Sequence, residues 1–190
     1  MKLKNYIAGQ WIEGSGNEIP LYNAVNGELV AVSDTEGIDF ESALHYGRTV
    51  GYKNLSSMTF YDRGEMLKKV ALYLLERKKK YYDLSYKTGA THADSWVDIE
   101  GGFGTFFTYS GLAKRMLPNT PFWVDGDTQK ISANGTFLGT HILTPSEGVS
   151  VQINAYNFPV WGMMEKLSTS LLAGVPSIVK PATPGSYLTN

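Results

Sequence analysis

With 190 residues, 43% of them hydrophobic and 18% charged, the chain has a globular composition and room for one domain or one domain plus a small appendage. Its 17 basic and 18 acidic side chains nearly cancel, leaving a net charge of -1 and no ground for nucleic acid or an anionic membrane as a partner. The lack of cysteine excludes disulfides, thiolate metal ligands and a thiolate nucleophile from these residues; His45, His92 and His141 are too scattered for a standard metal motif.

The start, Met1 to Tyr6, leads into no apolar core with a cleavage site, and no apolar run reaches bilayer length. A cytoplasmic protein is expected. The first forty residues read as short strands, with Gly9 turning between Tyr6-Ile7 and Gln10-Trp11. Asn26-Gly27 is a strong hairpin signal before a strand over Glu28–Ser33. A modest helix begins at Asp39. A clearer one is capped by Thr59 with Asp62 at its third position, carries Leu67, Val70, Leu74 and Tyr81 on one stripe, and runs to about Lys87 before Thr88-Gly89. The basic run Arg77 to Lys80 then falls late in that helix, as a solvated face where cations suit the negative dipole end.

Thr91, with Asp94 in the first turn, opens a long third helix whose buried face reads Trp96, Ile99, Phe103, Phe106, Ser110 and Ala113. Gly101, Gly102 and Gly104 within it point to close packing by a neighbour, and Asp94, Asp98 and Glu100 read as solvated or helix-end charges. From Pro118 the character changes. Strand-like stretches at Phe122–Val124, Lys130–Ser132 and Thr136–Leu143, with turns at Asp125-Gly126 and Asn134-Gly135, form a β excursion closed by Pro145.

Gly148 to Ile153 reads as a central strand. An apolar helix follows from Pro159 to Ala173 with Gly174 as its cap, then a second strand, Ser177–Lys180, stopped by Pro181. This is a βαβ unit with parallel strands, and the two long upstream helices are expected to cover one sheet face. Two parallel strands are a narrow sheet, so the chain is expected to be a piece of a larger α/β fold.

In such folds ligands sit beyond the carboxyl ends of the strands. Asn157, in Asn154-Ala155-Tyr156-Asn157-Phe158-Pro159, is at one such end: its amide either caps the next helix and braces the loop, or polarises a carbonyl. Lys180 is at the other, as a snorkelling strand-end lysine or a cation for the hydroxyls or phosphates of a nucleotide. No G-x-G-x-x-G or P-loop sequence is present, and Gly101-Gly102-Phe103-Gly104 lies inside a helix.

The stretch Gly148-Val149 to Asn154-Ala155-Tyr156-Asn157-Phe158-Pro159, followed by Leu172-Ala173-Gly174-Val175-Pro176-Ser177-Ile178-Val179-Lys180-Pro181, resembles the aldehyde dehydrogenase superfamily. Its members show Gly-Val, then Pro-Trp-Asn-Phe-Pro, then an Ala-Gly-Asn segment leading to Val-Leu-Lys-Pro. The resemblance implies an α/β fold: the N-terminal portion of the aldehyde dehydrogenase fold, with part of a Rossmann-like parallel sheet, long covering helices and a β oligomerisation arm. Residues 1–120 and 146–190 would belong to the NAD(P)-binding domain and 121–145 to the arm, which in a homo-oligomer completes a partner's sheet.

Carried over, Asn157 stabilises the oxyanion of a thiohemiacetal, Lys180 binds the adenosine ribose of NADP or NAD, and Ala155, Tyr156 and Phe158 border the cofactor and substrate cleft. Three positions depart from the pattern. Ala155 and Tyr156 replace Pro and Trp, and Thr183 stands where many NAD-preferring relatives have Glu; a neutral hydroxyl there tolerates a 2′-phosphate. Ala155 to Gly162 and Thr91 to Trp96 are similar to the aldehyde dehydrogenase part of the bifunctional ring-opening enzymes of bacterial phenylacetate degradation. That similarity implies a CoA-linked semialdehyde substrate and a fused hydratase-like domain. The family's catalytic cysteine and glutamate would fall beyond Asn190, so the chain alone is expected to be inactive. The alternatives are a non-catalytic scaffold or assembly module and, with no complete phosphate loop to support it, an unrelated nucleotide-binding module.

Overall fold

The computed structural model describes all of residues 1–190. Strands β1 (Asn5–Ile7) and β2 (Gln10–Ile12) form the expected hairpin, with Ala8 at φ 49° and Gly9 at φ 83° making its turn. Strands β3 (Ile19–Tyr22) and β4 (Leu29–Ser33) pair antiparallel. Asn26-Gly27 does turn the chain, with Gly27 at φ 74°, but inside a longer connection from Asn23 to Glu28 rather than as a two-residue hairpin loop. Leu21 and Ala31 turn inward and anchor this ribbon on the helices, together with Leu3.

Helix α1 (Phe40–Tyr46) is capped by Asp39, whose Oδ1 accepts from Ser42 N at 2.9 Å. A π-helical turn over Gly47–Gly51 joins it to α2 (Tyr52–Ser57). Gly47 faces Val149 and Gly51 faces Pro176, so this segment lies along the amino-terminal edge of the parallel sheet described below.

Helix α3 (Phe60–Leu75) has the expected capping box between Thr59 and Asp62. It does not run on to Lys87. The chain leaves helical geometry at Arg77 (φ -106°, ψ 8°) and restarts as α4 (Lys78–Ser85). The break leaves Tyr82 and Ser85 buried in α4 while Tyr81 packs at the core edge with its ring centroid 5.8 Å from that of Phe103; upstream of it, Ala71 rather than Val70 is buried in α3. It also places Lys78, Lys79 and Lys80 at the start of a helix, the end of the dipole that disfavours cations. Lys78 is offset by Glu100 at 3.1 Å.

Helix α5 (His92–Met116) begins with a second capping box, Thr91 with Asp94, after Gly89 at φ 88° has ended the preceding turn. Its buried face is Ser95, Asp98, Ile99, Gly102, Phe103, Phe106, Ser110 and Ala113. Trp96, expected on that face, is 56% exposed, because Ser95 turns inward to meet Ser85 across 2.9 Å. Of the acidic residues read as solvated or helix-end charges, only Asp94 is of that kind. Asp98 is buried, and Glu100 accepts from Tyr82 Oη at 2.8 Å, where burial and the carboxylate push the phenol up to about 12.

Strands β5 (Trp123–Lys130) and β6 (Leu138–Leu143) form an antiparallel hairpin, with every residue of β5 exposed. Asp125-Gly126 does not turn the chain. Gly126 (φ 75°) lies in an irregularity within β5, and the turn is made by residues 131–137. Strands β7 (Ser150–Ile153) and β8 (Ser177–Lys180) are parallel, and helix α6 (Pro159–Leu172) connects them. A short α7 (Ser186–Thr189) buries Tyr187 and Leu188.

The core lies between α3, α5 and α6, with Leu67, Ile99, Phe103, Phe106, Val160 and Met164 at its centre. The two long helices therefore stack on α6 and on each other, not on the sheet as expected. Gln152, buried in β7, bonds Ser170 of α6 at 3.3 Å and Ser177 of β8 at 3.1 Å and so ties the βαβ unit together. The opposite sheet face leaves Val151 63% and Ile153 75% exposed. No helix is long and apolar enough to cross a membrane.

Two stability outcomes follow. At the crossing of α3 and α5, a Cβ on Gly64 would lie 2.7 Å from Ala113 Cβ. Gly64→Ala should lower stability by about 1–3 kcal/mol through overpacking, despite a helix-propensity gain of about 1 kcal/mol. A urea midpoint that rises would show the crossing to be looser than described. The second concerns acid: hydroxyl and amide donors from Thr59 and Thr91 hold Asp62 and Asp94 below the ordinary carboxyl value of 3.8. Their stabilisation is present above that value and lost as pH falls through the lower folded values. Thermal midpoints should therefore fall below about pH 4, and replacing both carboxylates by asparagine should flatten that slope.

Candidate functional site

The register of the parallel pair sets side by side the strand ends that lead to the two expected site residues. Ile153 is the partner of Lys180, and Asn154 N donates to Lys180 O at 3.1 Å. From there Ala155, Tyr156, Asn157 and Phe158 loop over the carboxyl edge of the sheet, all of them exposed, and Pro159 opens α6. Lys180 also projects from this edge, and its Nζ reaches Thr183 Oγ1 at 3.4 Å. The structure thus gathers Asn157, Ala155, Tyr156, Phe158, Lys180 and Thr183 on the segments that leave two adjacent strands.

Asn157 does not cap the helix. Its amide makes no hydrogen bond within the chain, and the cap is supplied by a residue the sequence reading left on the surface. Asp98 of α5, 4% exposed, accepts from Val160 N at 3.1 Å and Trp161 N at 2.8 Å through Oδ1, and from Val160 N at 3.3 Å through Oδ2. Pro159 has no N–H, so these are the first free donors of α6. Burial raises the carboxyl of Asp98 above its ordinary value, while the Trp161 and Val160 amides oppose that shift. Close approach makes the bond feasible: a Cβ on Gly102 would lie 3.1 Å from Trp161 N.

At the other end, Arg63 of α3 is fully buried and donates to Leu172 O at 2.9 Å through Nη1 and to Pro121 O at 3.1 Å through Nη2. It also lies 4.4 Å from the Phe60 ring centroid. Gly174, at φ 83°, is required twice over, by that left-handed conformation and by Arg63 Nη1, which lies where a Cβ would go.

Asn154 starts the loop and is buried. Its Oδ1 accepts from Lys166 Nζ at 2.8 Å, and Lys166 also bonds Gly162 O at 2.8 Å. The reading from sequence missed Asp98, Asn154 and Lys166. A signal for Asp98 existed: it lies three residues after Ser95 and four before Gly102 on a face otherwise free of charge. Nothing in the sequence says which amides that carboxylate meets. No three His, Cys, Asp or Glu side chains gather to hold a metal ion.

Comparison with known proteins places this arrangement. Residues 11–189 match the model of a family described as the aldehyde dehydrogenase family. A 3,4-dehydroadipyl-CoA semialdehyde dehydrogenase of Aromatoleum evansii is 39% identical over 189 residues, covering 99% of this chain and 36% of that protein. The structure of a 3,6-anhydro-L-galactose dehydrogenase superposes with a TM-score of 0.84 at 25% identity, over all of this chain and 38% of that one. A betaine aldehyde dehydrogenase from Staphylococcus aureus, solved with NAD+, gives 0.79 at 24% identity, over 98% of this chain and 36% of its own. The chain thus spans little more than a third of the length of these relatives.

Removing the Arg63 guanidinium would leave two carbonyls without their donor. Arg63→Met, which keeps the aliphatic packing, should cost about 2–4 kcal/mol. The urea midpoint reads this, and an unchanged midpoint would mean that the buried cation contributes nothing net.

Proposed function

Because the chain belongs to the aldehyde dehydrogenase family, we propose that it forms the cofactor-side part of an NADP- or NAD-dependent enzyme that oxidises an aldehyde to the carboxylic acid. The observation that carries this reading is the register of β7 and β8, which sets an amide and an ammonium at adjoining strand ends with no other work for the amide in the fold. Asn157 Nδ2 is a free donor on a short side chain, suited to the oxygen of a carbonyl that gains negative charge on attack. The aldehyde is held there as the thiohemiacetal of a cysteine that these residues do not contain.

Lys180 and Thr183 fit a dinucleotide. Lys180 is an exposed cation whose hydrogen bond is to a neutral hydroxyl rather than to a carboxylate, a donor set that suits ribose hydroxyls and tolerates a 2′-phosphate. Bound NADP or NAD supplies the hydride acceptor. Ala155, Tyr156 and Phe158 border the cleft with exposed, mainly aromatic surface that excludes water once covered. The substrate class we propose is a CoA-linked semialdehyde, on the likeness to the Aromatoleum evansii enzyme. Residues 121–145 form the oligomerisation arm of a homo-oligomer; the support is an exposed hairpin presenting Trp123, Val124, Ile142 and Leu143 with unpaired edges.

Two measurements of reduced cofactor absorbance test the reading. The 190-residue chain alone should form no NADPH or NADH with any aldehyde, since it holds no cysteine. In the full-length protein Asn157→Ala should lower kcat about 10²–10³-fold. An Asn157→Ala enzyme with parental kcat would remove the amide from the chemistry.

A further inference from the structure

The carboxylate of Asp98 caps α6 at Val160, three residues beyond the amide that would act on substrate. Residues 155–158 are slung between two anchors and are otherwise exposed. One anchor is Asn154, held through its backbone to Lys180 O at 3.1 Å and through its side chain to Lys166 at 2.8 Å. The other is the start of α6, where Phe158 provides no side-chain cap and both free amides turn to Asp98. Asn157 lies between them with no hydrogen bond of its own side chain to fix it.

From this arrangement we infer that Asp98 is a positioning residue for Asn157: its bonds to Val160 N and Trp161 N set where α6 begins, and so where the amide three residues before Val160 is presented. The inference rests on the proposed role of Asn157. Two facts separate it from ordinary helix stabilisation. Asp98 sits on a different helix, 62 positions from Val160, so its bonds fix α6 against α5 and not merely against its own preceding turn. The two backbones also come close at Gly102, where a Cβ would lie 3.1 Å from Trp161 N, so the carboxylate acts one turn from a close approach of the two helices. Without it, α6 can shift along α5 and carry Pro159 and Phe158 with it. A misplacement near 1 Å is enough to cost a reacting group about 10²-fold.

The test uses the full-length enzyme with Asp98→Ala, Asp98→Asn and, as a control for helix capping in general, Asp94→Ala. Asp98→Ala should lower kcat about 10–100-fold while KM for NADP stays within about 3-fold. Asp98→Asn keeps an oxygen able to accept from both amides and should recover kcat to within about 5-fold. Asp94→Ala should lower the melting temperature without moving kcat. An alanine variant that is folded at the assay temperature with parental kcat, or an asparagine variant as poor as the alanine one, would overturn the inference. Should the alanine variant not fold, deuterium uptake by the peptide over residues 154–163 in Asp98→Asn serves instead. A neutral amide oxygen accepts from the two N–H groups more weakly than a carboxylate, so uptake above that of Asp94→Ala, in which Asp98 is intact, supports the hold, and uptake equal to it refutes it. If the unsubstituted enzyme makes no reduced cofactor with any aldehyde, the functional reading fails, while amide exchange still reports whether Asp98 holds the loop.

Discussion

Helix α6 is gripped at both ends by charges of the sign its dipole calls for, and both come from helices that precede it in the chain. Asp98 of α5 meets the amides that open it and Arg63 of α3 meets a carbonyl that closes it. Each charge is buried without an ionic partner, a condition that is expensive unless backbone dipoles supply the compensation. Here they do, through three hydrogen-bond distances at Asp98 and two close carbonyls at Arg63. The electrostatic gain at each helix end is on the order of 1–2 kcal/mol in partly buried geometry. Its larger consequence is geometric, since an anchored helix cannot slide.

That grip requires close approach, and the glycines supply it. Gly102 lets α5 reach the first turn of α6, Gly64 lets α3 reach α5 at Ala113, and Gly174 leaves room for the Arg63 guanidinium. The strands follow from the helix. Gln152 bonds serines on α6 and β8, so the sheet is tied to the same strut that the upstream helices hold. Arg63 reaches Pro121 as well, just ahead of the β5–β6 hairpin, so the base of the proposed arm and the end of α6 share one side chain.

For function, the result is a carboxyl edge where the side chains with chemical capacity are the ones without structural work. Asn157 is unbonded, Lys180 bonds only a hydroxyl, and two charges nearby have partners elsewhere: Lys166 in Asn154 and Gly162, Asp98 in the helix amides. The positive end of α6 is likewise neutralised by Asp98.

Local rules made much of this legible in advance. The two capping boxes, the turns at Gly9 and Gly89, and the strand–helix–strand unit from Ser150 to Lys180 all depend on residues within a few positions of each other, and they stand as read. So do the aldehyde dehydrogenase motifs around Asn157 and Lys180, because they are contiguous in the chain. The bend at Arg77, the exposure of Trp96 and the irregularity at Gly126 were not legible. In each, a contact from a distant segment or a single backbone torsion overrode a pattern that taken alone favoured continuation. Asp98 shows the limit most clearly. Spacing puts it on a buried face, yet its partners are backbone amides 62 and 63 positions away, and amides carry no mark in a sequence. Sequence alone determined most of the helices and strands and the family motifs around Asn157 and Lys180; packing decided which charge holds the helix beside them, because that depends on how closely two backbones can meet.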